Sequence, residues 1–428
     1  MSRKIKIQGE VVGRNSIQYA GRIVNCWVTD VDDAKKIQPL DISLHEKDVV
    51  ELEGVLYNDL WNAKFKRKLY RANEAKSLND LLQIRAVKRD VIEKIDGYLG
   101  SALGYKWCMN KNTKHPCVII FVLEKKPLEC VLEEDTVIAP TILEHNGKWC
   151  FTDVLRGKIN TSCKLPPVDN NNEEIVEELE SGKIGLIGGI KLLYKEGNKK
   201  NFATAGIVVK GQTGEHDKGF LVNRHITSRK KRDFYNPDYN ASSKVATYEK
   251  PMGVLPENLP FLDWYETSDE PKGVIEPDFA YLKISDEILK KGTPKVKAGL
   301  HRIGDVGPIK SIDKNTMDII GQKVISVGCR RGMQRGVVIA FSYEYIDSKN
   351  HENYYIDLLI KGEKSSEFSD RGDSGKIIVT DDEEHRPIGL HVGGWQGYLH
   401  KNAEIEKFGY ALELKRVLDN LKLEIYKE

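Results

Sequence analysis

Gly219-Phe220-Leu221-Val222-Asn223-Arg224-His225, Pro277-Asp278-Phe279-Ala280-Tyr281-Leu282 and Arg371-Gly372-Asp373-Ser374-Gly375 are the stretches on which the reading of this chain turns. Each carries one reactive side chain: an imidazole, a carboxylate and a hydroxyl. A hydroxyl is a weak nucleophile until a neighbouring base takes its proton. That base works best when a carboxylate fixes its tautomer and steadies the cation it becomes. His225 follows an apolar run of strand type, and Asp278 opens a second, Phe279 to Ile284, so a β-scaffold can present both. Alone, Gly-Asp-Ser-Gly is ordinary turn chemistry. The three stretches together point to Ser374 as nucleophile, His225 as general base and Asp278 as its orienting carboxylate, with Asp263 the alternative should Asp278 point away.

Gly372 lacks a Cβ that would keep a substrate carbonyl from its backbone N–H, so Gly372 and Ser374 can form an oxyanion hole. From about Lys183 to the C-terminus the chain resembles the chymotrypsin-fold, trypsin-like serine peptidases, which share its order of His, Asp and Ser. It is similar there to an intracellular or bacterial branch and to the narrow-leaf-type proteins of plants. The resemblance rests on Thr204-Ala205-Gly206, the segment ending in His225, Gly321-Gln322-Lys323-Val324-Ile325-Ser326-Val327-Gly328, then Gly332, Gly336 and Ala340. It continues through Tyr355-Ile356-Asp357, Gly372-Asp373-Ser374-Gly375 and Arg386-Pro387-Ile388-Gly389-Leu390-His391-Val392-Gly393-Gly394. It implies a pair of β-barrels with the three reactive residues in the cleft between them.

The segment Gly389 to Gly394 is similar to the Gly-Ile-His-Trp-Gly-Gly pattern of glutamate-specific bacterial peptidases, with Val392 in place of the Trp. That resemblance implies a substrate pocket lined by His391, Gly393 and Gly394, in which a partly positive imidazole meets an acidic side chain. The other reading of His391 is a core histidine satisfied by a backbone carbonyl. Extracellular members of the fold are commonly activated by cleavage that frees an Ile-Val-Gly-Gly terminus to pair with the Asp before the serine. Ile187-Gly188-Gly189-Ile190 has that flavour but no basic cleavage site directly upstream, so it reads as an entry strand with a Gly bend, and zymogen processing is not expected.

With 428 residues and 40% hydrophobic content, the chain can build two or three ordinary cores. Its seven cysteines, Cys26, Cys108, Cys117, Cys130, Cys150, Cys163 and Cys329, are spread thinly, and only Cys329 lies in the peptidase half. That excludes a disulfide framework of the secreted-trypsin kind and shows no zinc-site spacing. No apolar run spans a bilayer and no leader h-region follows the basic start, so a cytoplasmic enzyme is expected, without membrane contact. A net charge of +2 gives no global field calling for nucleic acid. Arg229-Lys230-Lys231-Arg232 and Lys66-Arg67-Lys68 read as solvated basic runs, the first close enough to His225 to attract acidic substrates. No cofactor or metal is called for; Glu173, Glu174, Glu177, Glu178 and Glu180 have no His among them and read as a solvated face.

The fold class expected is mainly β: a chymotrypsin-like double β-barrel in the C-terminal half, preceded by a small β-rich module and a small α/β segment. The divisions are 1–82, a β-rich module of OB-like or similar form; 83–165, the α/β segment; 166–182, a linker ending in a short acidic helix; and 183–428, the peptidase. The helix expected in the second part runs from Leu78 to about Tyr98 and the strand from Cys117 to Val122. The function expected is a serine endopeptidase acting on a protein or peptide through an acyl-enzyme at Ser374, held or regulated by a partner or ligand of the N-terminal module. The alternative is a protease-fold binding or scaffold protein with weak or lost catalysis.

Overall fold

The computed structural model describes residues 5–13, 16–19, 22–30, 33–39, 49–57, 60–69, 71–108, 111–124, 137, 139–140, 142–158, 170–181, 184–196, 199–212, 218–227, 232–235, 244–248, 259–260, 274–275, 278–292, 295–346, 353–363, 368–369, 372–398 and 406–428, with the backbone alone through residue 71. Two compact units emerge. The first comprises Met1–Gly157 with Lys314–Met317 and Tyr398–Asn402, the second Lys158–Asp313, Asp318–Gly397 and Ala403–Glu428. The first unit therefore runs through both segments that the sequence divides at 82 and 83.

In unit 1, β1 (Ile5–Gly13) pairs with β2 (Ser16–Tyr19), and β2 with β3 (Arg22–Asp30), which carries β4 (Asp33–Pro39) on its other edge. β3 then runs parallel to β6 (Leu60–Leu69), β6 pairs with β5 (Val49–Tyr57), and β5 returns to β1. The circuit closes as a five-stranded barrel of OB type. Its register follows from period-2 patterning: Ile7 stands opposite Leu52 on one face, Lys6 opposite Glu53 on the other. The helix Leu78–Val87 follows, with the Ser77 hydroxyl accepting the Asp80 N–H at 3.1 Å as its N-cap. Leu78, Leu81 and Leu82, at helical spacing, bury against a sheet of β7 (Tyr98–Cys108), β8 (Lys111–Val122), β10 (Lys148–Lys158) and β9 (Ile142–His145). β8 and β10 are parallel, and the unbroken apolar run Cys117 to Val122 is fully buried, as a strand covered on both faces requires.

Unit 2 uses one strand plan twice. In the first barrel β12 (Lys191–Glu196) pairs with β13 (Lys199–Thr204), which turns at Gly206 into β14 (Val208–Gly211). β14 pairs with β15 (Gly219–Val222), β15 with β20 (Ala280–Ile284), β20 with β17 (Lys244–Tyr248), β17 with β16 (Arg232–Tyr235), and β16 returns to β12. In the second, β22 (Lys323–Gly328) pairs with β23 (Gly332–Ile346), β23 with β24 (Asn353–Gly362) and β24 with β27 (Glu406–Glu413). β27 pairs with β26 (Pro387–Tyr398), β26 with β25 (Ile377–Thr380), and β25 closes on β22. With each barrel's strands lettered A to F, both circuits read A-B-C-F-E-D, the antiparallel double barrel of the chymotrypsin fold. Short strands β11 (Leu186–Gly188) and β21 (Val296–Leu300) pair in parallel, and β18 (Leu259–Pro260) and β19 (Val274–Ile275) extend the edge at β24.

Alternation fills the cores. In β20, Ala280, Leu282 and Ile284 are buried while Tyr281 and Lys283 are half-buried between them. Leu414, Val417, Leu418 and Leu421 line one stripe of the helix Leu414–Leu421, which leads into β28 (Leu423–Ile425) and its pairing with β14. Part of the stretch read as a linker is a helix, Asn170–Ser181, of unit 2. Leu179 is fully buried in the first barrel's core with Ile175 packed beside it, whereas Glu174 and Glu178 bind Arg302 at 2.8 and 2.6 Å. An i, i+4 apolar pair within an acidic run is the signal that gives this helix an inner face.

Candidate active site

Strand plan places the reactive residues. His225 lies three residues beyond strand C of the first barrel, Asp278 two before strand F, and Ser374 three before strand D of the second barrel. His225 sits in the short 3-10 turn Arg224–Thr227, where its ring is half exposed. Asp278 engages it twice: Oδ1 accepts the His225 backbone N–H at 2.8 Å, and Oδ2 lies 2.8 Å from ring Nδ1. The Asn223 side-chain amide donates to the Asp278 carbonyl at 2.9 Å, tying the strand that ends in His225 to the one that starts after Asp278. A carboxylate against Nδ1 favours the tautomer that carries its proton there, which leaves Nε2 as the lone-pair nitrogen. Asp278 thus faces His225. Asp263 lies outside the described residues, as do Arg229-Lys230-Lys231 and Arg371.

Ser374 enters from the other barrel. Its carbonyl accepts the Thr204 N–H at 3.2 Å, and the next residue, Gly375, donates its N–H to the His391 carbonyl at 3.1 Å. Thr204 also donates its hydroxyl to the Gly372 carbonyl at 2.9 Å and accepts the Cys329 N–H at 3.2 Å, so one buried threonine stitches β13 to both sides of the serine turn. The fit is tight. A Cβ on Gly375 would lie 2.4 Å from the Thr204 carbonyl and 3.7 Å from the Cα of Val222, the strand leading to His225. Gly372 has φ +107° and faces Phe202, whose ring carbon would be 2.3 Å from an added Cβ, so only glycine fits there.

His391 is 1% exposed, edge-on to Phe368 with ring centroids 6.3 Å apart. Burial, with the Lys376 charge nearby, pushes its pKa well below the ordinary imidazole value. This position favours the reading of His391 as a core histidine over that of a positive ring offered to an acidic side chain. Of the other residues expected to line the pocket, Gly394 faces the Ser369 hydroxyl, 3.1 Å from where its Cβ would be, and Gly393 faces Tyr410 at 3.8 Å. Burial likewise pushes the Cys329 thiol up to about 12, so it packs beside the turn as an inert side chain.

Sequence reasoning missed Phe202 and Thr204 as neighbours of the serine turn, and Lys376 as its buried cation. Thr204 had one signal, its place before Gly206; Phe202 and Lys376 had none, since the first depends on a contact across the barrels and the second on burial within the serine turn.

The family described as Nal1 C-terminal domain matches residues 169–428, and that described as NARROW LEAF 1 N-terminal domain matches 73–155. The chain belongs to the NARROW LEAF 1 family. Protein NARROW LEAF 1 of Oryza sativa subsp. japonica is 28% identical over 382 residues, which are 84% of this chain and 62% of the rice protein. The chain thus spans under two thirds of that relative's length. Among solved structures it is similar to a glutamic acid-specific serine protease said to use a histidine triad in substrate binding, at 15% identity and TM-score 0.36, covering 56% of this chain and all of the other. It is similar also to Nocardiopsis protease, at 16% identity and TM-score 0.34, covering 56% of this chain and 99% of the other. Among the described residues no helix is long and apolar enough to cross a membrane.

Proposed function

We propose that this NARROW LEAF 1 family member is a serine endopeptidase. The observation that carries this reading is the double hold of Asp278 on His225, on its backbone N–H and on Nδ1, at the strand end beside the Ser374 turn. In the proposed reaction His225 Nε2 takes the proton of Ser374 Oγ as Oγ bonds to the scissile carbonyl carbon. The oxyanion rests on the N–H groups of Gly372 and Ser374. The C–N bond then breaks as His225 returns the proton to the leaving amine, and water, activated in the same way, releases the acyl group from Ser374. The substrate is a protein or peptide. Cys117, Cys150 and Cys329 are buried free thiols, which supports residence in the reducing cytoplasm.

The test is labelling of the full chain by a fluorophosphonate serine probe, beside Ser374→Ala and His225→Ala. Labelling that both substitutions abolish supports the reading. Labelling indifferent to Ser374→Ala, or none at all, sinks it in favour of a protease-fold binding protein.

A further inference from the structure

Lysine and aspartate are rarely sealed from water, yet Lys376 and Asp373 are both 0% exposed. They bracket Ser374, one residue before it and two after. The Lys376 ammonium lies 3.7 Å from Asp373 Oδ2, donates to the Phe368 carbonyl and sits 4.4 Å from the centre of the Phe368 ring. Asp373 Oδ1 accepts the Arg330 N–H at 3.2 Å. Gly328 makes the room: a Cβ there would be 2.5 Å from Asp373 Oδ1 and 3.2 Å from Lys376 Cδ.

Burying two ions costs several kcal/mol each, and an apolar pair of similar volume commonly stabilises a core as well or better. Stability is therefore a poor reason for this pair, whereas the fixing of a turn is a good one. The backbone around it is unusual: Gly372 and Gly375 both have positive φ, +107° and +99°. The Lys376 N–H closes the turn on the Asp373 carbonyl at 3.1 Å, and its own carbonyl accepts the His391 N–H at 2.9 Å. Side chains and backbone thus hold the same five-residue arch from both ends.

We propose that Lys376 is a positioning residue for the Ser374 site, clamping Asp373 so that the N–H groups of Gly372 and Ser374 face the reacting carbonyl. The inference rests on the reading of Ser374 as nucleophile. Because the cation comes from within the turn, the arch is set by the folded chain itself and needs no chain-end ammonium released by cleavage. Ile187 to Ile190 accordingly lie within the fold: the Gly189 N–H donates to the Ala205 carbonyl and the Ala205 N–H to the Ile190 carbonyl, both at 2.8 Å.

The test compares the full chain with Lys376→Met and with the double variant Asp373→Asn/Lys376→Met. It reads thermal midpoint, fluorophosphonate labelling rate and hydrogen exchange of the peptide spanning 369–377. Lys376→Met takes the ammonium away from a buried carboxylate 3.7 Å from it, so midpoint and labelling both fall, the latter by about 100-fold or more. The double variant removes both charges. A clamp predicts that its midpoint recovers while labelling stays about 10-fold or more below wild type and exchange in 369–377 stays fast. Recovery of labelling and protection along with the midpoint overturns the clamp and leaves the pair a packing feature. Should the wild type not label, that outcome counts against the nucleophile reading alone. Exchange then decides the clamp: fast exchange confined to 369–377 in the double variant upholds it, and unchanged exchange removes it.

Discussion

Asp278→Asn isolates what one carboxylate does. An amide keeps the size and can still accept the His225 N–H, but it cannot accept from both His225 donors as a charged carboxylate does. On the peptidase reading, the labelling rate falls by about 10³- to 10⁴-fold with the fold intact, measured with the same probe and checked by circular dichroism. Gly372→Ala tests a second residue. The methyl meets Phe202, and φ +107° disfavours any side chain, so about 1–3 kcal/mol of stability and most labelling are lost. Phe202→Ala added to it relieves the clash but not the φ. Denaturant titration should therefore show partial recovery of stability, and full recovery would mean that the backbone strain is negligible. His225, Asp278 and Ser374 could be singled out as candidates because each reactive type sits beside a strand-like run. Phe202 was not, since what matters is its approach to Gly372, 170 positions along and on the other barrel.

Strands and helices add their own tests. Burial pushes the pKa of His391, in β26, well below the ordinary imidazole value in the folded protein, whereas in the unfolded chain it titrates near 6.5. Below that pH the unfolded state takes up a proton that the folded state refuses, so stability is complete above about 6.5 and declines as pH falls, by at most about 1.4 kcal/mol per pH unit. His391→Gln removes the titration. Its stability, measured by denaturant from pH 7.5 to 5, should fall less steeply than wild type, and parallel curves would show that His391 is not the group responsible. In the helix Asn170–Ser181, Leu179→Ala empties a fully buried site in the first barrel and should cost about 2–5 kcal/mol. Glu177→Gln, on the exposed side, should change midpoint little. Strand-like apolar runs marked β15 and β20 in the sequence, and the resemblance implied the two barrels. This helix was read by its charge alone, because only the core shows that Ile175 and Leu179 form its inner face.

At the scale of the whole chain, unit 1 takes in a short segment from far along the sequence. The N–H groups of Leu78 and Asn79, at the start of their helix, donate to the carbonyls of Thr316 and Lys314 at 3.1 and 2.9 Å, and Asn79 binds Asn315 at 3.0 Å. A chain lacking residues 1–157 therefore leaves Lys314–Met317 without these partners. Hydrogen exchange should speed up across 312–320, where the buried Met317 loses its cover, and equal exchange in both chains would show that the segment holds its form alone. The sequence alone determined that the C-terminal half has the chymotrypsin-like double β-barrel fold, and it singled out His225, Asp278 and Ser374 as the candidate catalytic side chains. The first rests on the resemblance of the C-terminal half to that fold and the second on reactive residues beside strand-like runs, signals that need no knowledge of distant contacts. Only the tertiary structure decided that His391 is sealed from water, that the Lys376 ammonium lies beside Asp373, and that 314–317 belongs with the first unit. Burial and pairing are set by which strands the barrels bring together, and a one-dimensional pattern does not contain that.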